Sequence, residues 1–117
     1  MTPSRLALAW ALVIGVACSV PSPSTPAGLL PISFDKWVHV GLFAVLGFLW
    51  ARAVPGRTWQ VLIGGVAFGV AIELWQGLPL VGRTPDAVDA LADAVGVVLG
   101  LGAWRWRSND SAEEVSG

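Results

Sequence analysis

Four carboxylates, Glu73, Asp86, Asp89 and Asp93, stand inside or beside two long apolar runs between residues 69 and 100. A charge within a hydrocarbon-length run is expensive, so such residues read first as functional. Any fold of this chain must pair them or bring them together. Hydrophobic residues fill 55% of the 117 positions and charged residues only 13%, against about 25% charged in an ordinary soluble domain. That excess of apolar surface makes a bilayer the natural solvent. The length allows one compact domain. A net charge of -1 gives no reason to expect a nucleic-acid partner. A single cysteine, Cys18, excludes an internal disulfide and a cysteine-based zinc site.

Four apolar runs are separated by breaks. The first, at residues 6–20, follows Arg5 and is short for a spanning helix, which needs about 20 residues. A transmembrane helix, a cleaved signal peptide and a lipoprotein signal ending at Cys18 compete here. The approach Gly15-Val16-Ala17-Cys18 fits a lipoprotein signal poorly, one arginine is a thin start for a signal peptide, and a retained helix is favoured. Residues 20–33 hold four prolines and no charge, which predicts an extended loop. Ser33 is placed to cap the next helix. Pro55 and Gly56 break the second run from the third, and Pro79 ends the third. Thr84 with Pro85 reads as the start of the fourth. The expectation is an all-α, integral-membrane four-helix bundle, with helices at about residues 5–20, 34–54, 58–78 and 86–106. Residues 1–107 form one domain and 108–117 a polar, disordered cytoplasmic tail.

Alternation of four helices puts Arg5, Arg52, Arg57, Arg105 and Arg107 on one side, and only Lys36 and Arg83 on the other. The positive-inside rule then makes both termini and the 51–58 turn cytoplasmic. Trp50, Trp59, Trp104 and Trp106 fall near the inner interface, and Trp37 and Trp75 near the outer one. With a rise of about 1.5 Å per residue, Glu73 stands roughly 21 Å above Trp59, in the outer third of the hydrocarbon core. His39, one turn beyond Asp35, and the Asp86–Asp89–Asp93 stripe reach a similar depth. Five of the eight acidic residues fall in this outer cluster, against Lys36, Arg83 and a protonated His39. Gly65 with Gly69, and Gly96 with Gly100, have the spacing that lets helix backbones approach closely.

Asp35-Lys36-x-x-His39 opens a helix, Glu73-x-x-Gln76 closes one, Gly82-Arg83 follows in a loop, and Asp89 leads to Gly96 seven residues on. In order and spacing these pieces resemble the VanZ-like family, small bacterial membrane proteins named after a teicoplanin-resistance protein. The resemblance covers about residues 18–100. It implies a multi-pass protein of the bacterial plasma membrane, a retained first helix and a link to glycopeptide susceptibility, but no particular reaction. One position departs from the family pattern: Asp93 stands where an asparagine is usual. The change adds a negative charge or a carboxylic acid kept neutral by burial.

The candidate ligand-binding set is Asp35, Lys36, His39, Glu73, Gln76, Arg83, Asp89 and Asp93. Within it, His39 with Asp35 or Asp89 reads as a general base held by a carboxylate, or as a plain interhelical hydrogen bond. Glu73 reads as a proton donor or as the partner of Lys36 or Arg83. His39, Glu73, Asp89 and Asp93 can also hold a divalent cation through imidazole and oxygen. Arg83 suits a bidentate clamp on phosphate or carboxylate, or a charge at the headgroups. Three functions follow. One is recognition of a cell-envelope lipid headgroup or an amphiphilic glycopeptide. The second is catalysis on a lipid-linked substrate by His39, Glu73 and Asp89. The third is a polar network that only fixes helix register.

Overall fold

The computed structural model describes residues 2–19, 34–78 and 87–116. Among them are four α-helices and no strand: α1 (Pro3–Ser19), α2 (Phe34–Ala53), α3 (Thr58–Gln76) and α4 (Ala87–Ser116). The all-α, four-helix expectation matches this architecture. Of the described helices, α3 alone is long and apolar enough to cross a membrane by itself, and α1 is a shorter apolar helix. The expected caps at Ser33 and Thr84 and the loops around them lie outside the described residues.

Between α2 and α3 the chain reverses in four residues. Val54 N–H still bonds to Trp50 O at 2.9 Å, and Arg57 N–H closes the turn on Val54 O at 3.2 Å. Gly56 takes a φ of 82°, which a residue with a Cβ adopts only with strain. Pro55 lacks the N–H that would continue the helix ladder. The two breakers thus end α2 and turn the chain as their sequence requires.

α4 differs from its expected extent. It runs on to Ser116 where a disordered tail was expected from residue 108. Residues 108–116 are polar, which argued against structure, but they contain no glycine or proline. Ala112, Glu113 and Glu114 are good helix formers, so nothing in the segment stops a helix already under way.

The short connections imply antiparallel sequence neighbours, and the contacts agree. Gly69 meets Asp93 and Gly65 meets Val97, so α3 and α4 run in opposite directions. The most extensive contact, however, joins α2 and α4, which are not neighbours in sequence and run parallel. Glycine makes it close. A methyl added at Gly96 would stand 2.5 Å from Val40 O, and one at Gly47 would stand 2.7 Å from Val97 O. One at Gly100 would collide with Ala44 O and reach within 2.7 Å of Phe48 N. Both pairs of glycines singled out by spacing therefore lie at helix contacts, one against α2 and one against α4.

α1 lies on α2 and α3, and among the described residues its backbone does not come close to that of α4. Its Ile14 and Cys18 enter a core completed by Phe43, Leu46, Ile72 and Val97. The Trp10 indole N–H donates to Leu42 O at 2.9 Å, and the Phe43 and Phe68 rings pack with centroids 5.8 Å apart.

Gly100→Ala is expected to lower the melting temperature in detergent by several degrees. Forcing a methyl into a closed contact costs about 1–3 kcal/mol, and here it meets backbone that cannot swing aside. Gly102 has nothing within 4 Å of where its Cβ would be. Gly102→Ala should therefore be neutral or stabilising by up to about 1 kcal/mol through helix propensity. Equal effects of the two changes would contradict the close α2–α4 contact.

Candidate functional site

The parallel register of α2 and α4 sets their polar residues opposite one another as rungs. In the first rung Lys36 Nζ donates to Asp89 Oδ1 at 3.0 Å, with the lysine 24% and the aspartate 10% exposed. One turn deeper, His39 Nδ1 lies 2.7 Å from Asp93 Oδ1, and both side chains are almost fully buried. Residues 36 and 39 are three apart and 89 and 93 four apart, so each pair shares a helix face. Parallel helices step the same way, so the second rung follows from the first. The ring nitrogen and the carboxylate share one proton, with the nitrogen donating when it carries it.

α3 brings the third side chain. Glu73 is buried near its C-terminal end, and it forms with His39 and Asp93 a group whose ligand atoms all lie within 4.8 Å of one another. Gly69, one turn earlier on α3, makes room for the Asp93 carboxylate: a Cβ there would stand 3.1 Å from Oδ2. This small position lets an acidic side chain be enclosed between three helices.

The same end of α3 carries ties to α1. Gln76 Nε2 donates to Cys18 O at 3.1 Å. The Trp75 indole N–H donates to Ser19 Oγ at 2.7 Å, and Ser19 Oγ–H donates to Gly15 O at 2.6 Å. The last turn of α1 leaves carbonyls without intrahelical partners, and Gln76 satisfies one of them.

Of the eight ligand-set residues, the structure thus groups His39, Glu73 and Asp93, pairs Lys36 with Asp89, and turns the Gln76 amide toward α1. The Asp35 side chain, Arg83 and Asp86 lie outside the described residues. The carboxylate found on His39 is Asp93; Asp89, one of the two expected, is on Lys36 instead. The Trp75–Ser19 bond had one signal in the sequence, since an indole N–H at a helix contact needs an acceptor.

Every side chain placed here falls within residues 6–108, where the model of the VanZ/LLP1 family matches the chain. The chain belongs to the VanZ/LLP1 family. The match takes in α1 as well as the three helices that build the cluster. No curated protein and no solved structure matches it. Within the family region, Asp93 gives His39 a carboxylate at hydrogen-bond distance.

Gln76 also has a structural task. Gln76→Ala should destabilise the chain by about 1–3 kcal/mol, because a buried carbonyl at the end of α1 loses its donor. Loss of protection of the α1 amides in hydrogen exchange, with α2–α4 protection retained, is the expected signature. Unchanged exchange in α1 would show that this bond does not hold the helix.

Proposed function

We propose that this VanZ-family protein is a four-span membrane protein of the bacterial plasma membrane. Its buried polar cluster, at the outer end of the bundle, recognises a cell-envelope lipid headgroup and so bears on glycopeptide susceptibility. The observation carrying this reading is an inverted distribution of polarity. His39, Glu73, Gln76, Asp89 and Asp93 are buried, while Leu12, Trp59, Ile63, Leu74, Leu91 and Trp106 are 63–72% exposed. Water selects the opposite arrangement, and lipid selects this one. Support for the orientation comes from Arg5, Arg52, Arg57, Arg105 and Arg107, which alternation gathers at the end away from Lys36. The cluster is rich in acceptors, which suits headgroups that donate through hydroxyl or ammonium groups.

The topology is open to a direct test. In a Cys18→Ala background, a cysteine at Gly77 should react with an impermeant maleimide on intact cells, and one at Gly56 only after permeabilisation. Labelling of Gly56 on intact cells would reverse or dissolve the arrangement.

A second reading has one specific observation in its favour. A histidine held at 2.7 Å by a buried aspartate is the pairing that orients a general base, which fits an enzyme acting on a lipid-linked substrate. Turnover of a labelled envelope lipid by the purified chain would favour it over binding alone.

His39→Ala, Glu73→Gln and Asp89→Asn separate a site from a register-fixing network. Breaking a buried pair in a network costs roughly 3–5 kcal/mol, whereas residues held for function often cost stability. At least one of the three variants is expected to keep a near-wild-type melting temperature while abolishing any teicoplanin-susceptibility change that the intact chain confers. Loss of that phenotype only together with several degrees of melting temperature, in every variant, would leave a structural network as the account.

A further inference from the structure

Three helices contribute one donor each to a single buried point. A ring nitrogen of His39 on α2, a carboxylate oxygen of Glu73 on α3 and one of Asp93 on α4 lie within 4.8 Å of one another. All three side chains are more than nine-tenths buried. Ligand bonds to a first-row dication are about 2.0–2.2 Å, so donors around one ion stand roughly 3 Å apart. The observed spread reaches beyond a closed coordination shell, so binding an ion requires the three side chains to draw inward.

We propose that His39, Glu73 and Asp93 bind a divalent transition-metal cation, with Zn2+ and Mn2+ the best fits. One imidazole with two carboxylates suits these ions. Calcium and magnesium favour all-oxygen shells, and thiolate-seeking Cu(I) finds no sulfur in the set. Two carboxylates and a histidine enclosed together are costly at low dielectric. A dication offsets both carboxylate charges at once. Gly69 lets the Asp93 side chain pack close against α3, since a Cβ there would stand 3.0 Å from the Asp93 Cβ and 3.1 Å from Oδ2. Three protein donors leave coordination positions open to an outside oxygen. Here the inference meets the headgroup reading, because a headgroup hydroxyl or phosphate oxygen is a suitable fourth ligand, but the metal site stands without it.

The full chain, purified in detergent and stripped with chelator, is reloaded with Zn2+ or Mn2+ alone and passed over a desalting column. Elemental analysis should find one ion per chain, and the melting temperature should rise with loading. Asp93→Asn and His39→Gln should each weaken loading by more than about tenfold, while Gly102→Ala loads as the wild type does. Should either ligand variant fail to fold, X-ray absorption on the Zn2+-loaded wild-type chain decides the matter, with an imidazole in the first shell expected. Absence of a stoichiometric ion, absence of imidazole from the shell, or wild-type loading by folded Asp93→Asn would overturn the proposal. The cluster would then be carboxylates and histidine sharing protons. Binding of an envelope lipid that persists in chelator with no ion present overturns the metal site alone and leaves headgroup recognition in place. A loaded ion without lipid binding does the reverse.

Discussion

The contact on which the rest of the structure depends is the meeting of α2 and α4 backbones at Gly47, Gly96 and Gly100. With side chains at these positions, the two helices would stand farther apart, and neither Lys36–Asp89 nor His39–Asp93 would span the gap. Close packing also locks the axial register, because each glycine sits against particular backbone atoms of the partner helix. Slide α4 by one turn and Gly96 no longer lies under Val40 O. The chemistry of the cluster is thus a by-product of where small residues fall.

That dependence explains why a strongly apolar chain can afford polar residues inside. In the bilayer setting proposed above there is little hydrophobic drive between helices, and association rests on packing and interhelical hydrogen bonds. Here the glycine contacts bring the backbones together and the polar rungs cap one end of the seam. The apolar core of Phe43, Leu46, Ile72 and Val97 fills the middle. α1 joins from the side through Trp10, Cys18 and Ser19 and does not share the seam.

Much of this was legible in the sequence, and the limits have physical causes. Helix count followed from proline and glycine breaks, because each removes a backbone donor or frees a φ that helices cannot use. The family followed from spaced polar residues. Faces within one helix followed from the 3.6-residue period, which is local. The partner of His39 did not, because lateral register between α2 and α4 depends on glycine contacts that no single helix encodes. Gln76 read as a site residue because its spacing from Glu73 puts both on one face. Its amide turns to α1 to meet the Cys18 carbonyl at the helix end, which composition does not reveal. The extent of α4 to Ser116 is not read from polarity, because a growing helix is stopped by breakers, and residues 108–116 hold no glycine or proline.

The unbroken length of α4 has a mechanical consequence. Asp93 and Ser116 belong to one helix with no kinking proline between them, so they move as parts of one rod. The glycine contacts at Gly96 and Gly100 are its fulcrum. From Gly100 to Ser116 the arm is roughly 24 Å long at 1.5 Å per residue. A tilt of about ten degrees at the fulcrum therefore displaces the far tip by roughly 4 Å at that arm length. A displacement of α4 at the His39–Glu73–Asp93 cluster would act on the short arm of this lever, and the end of the helix at Ser116 would be its long arm.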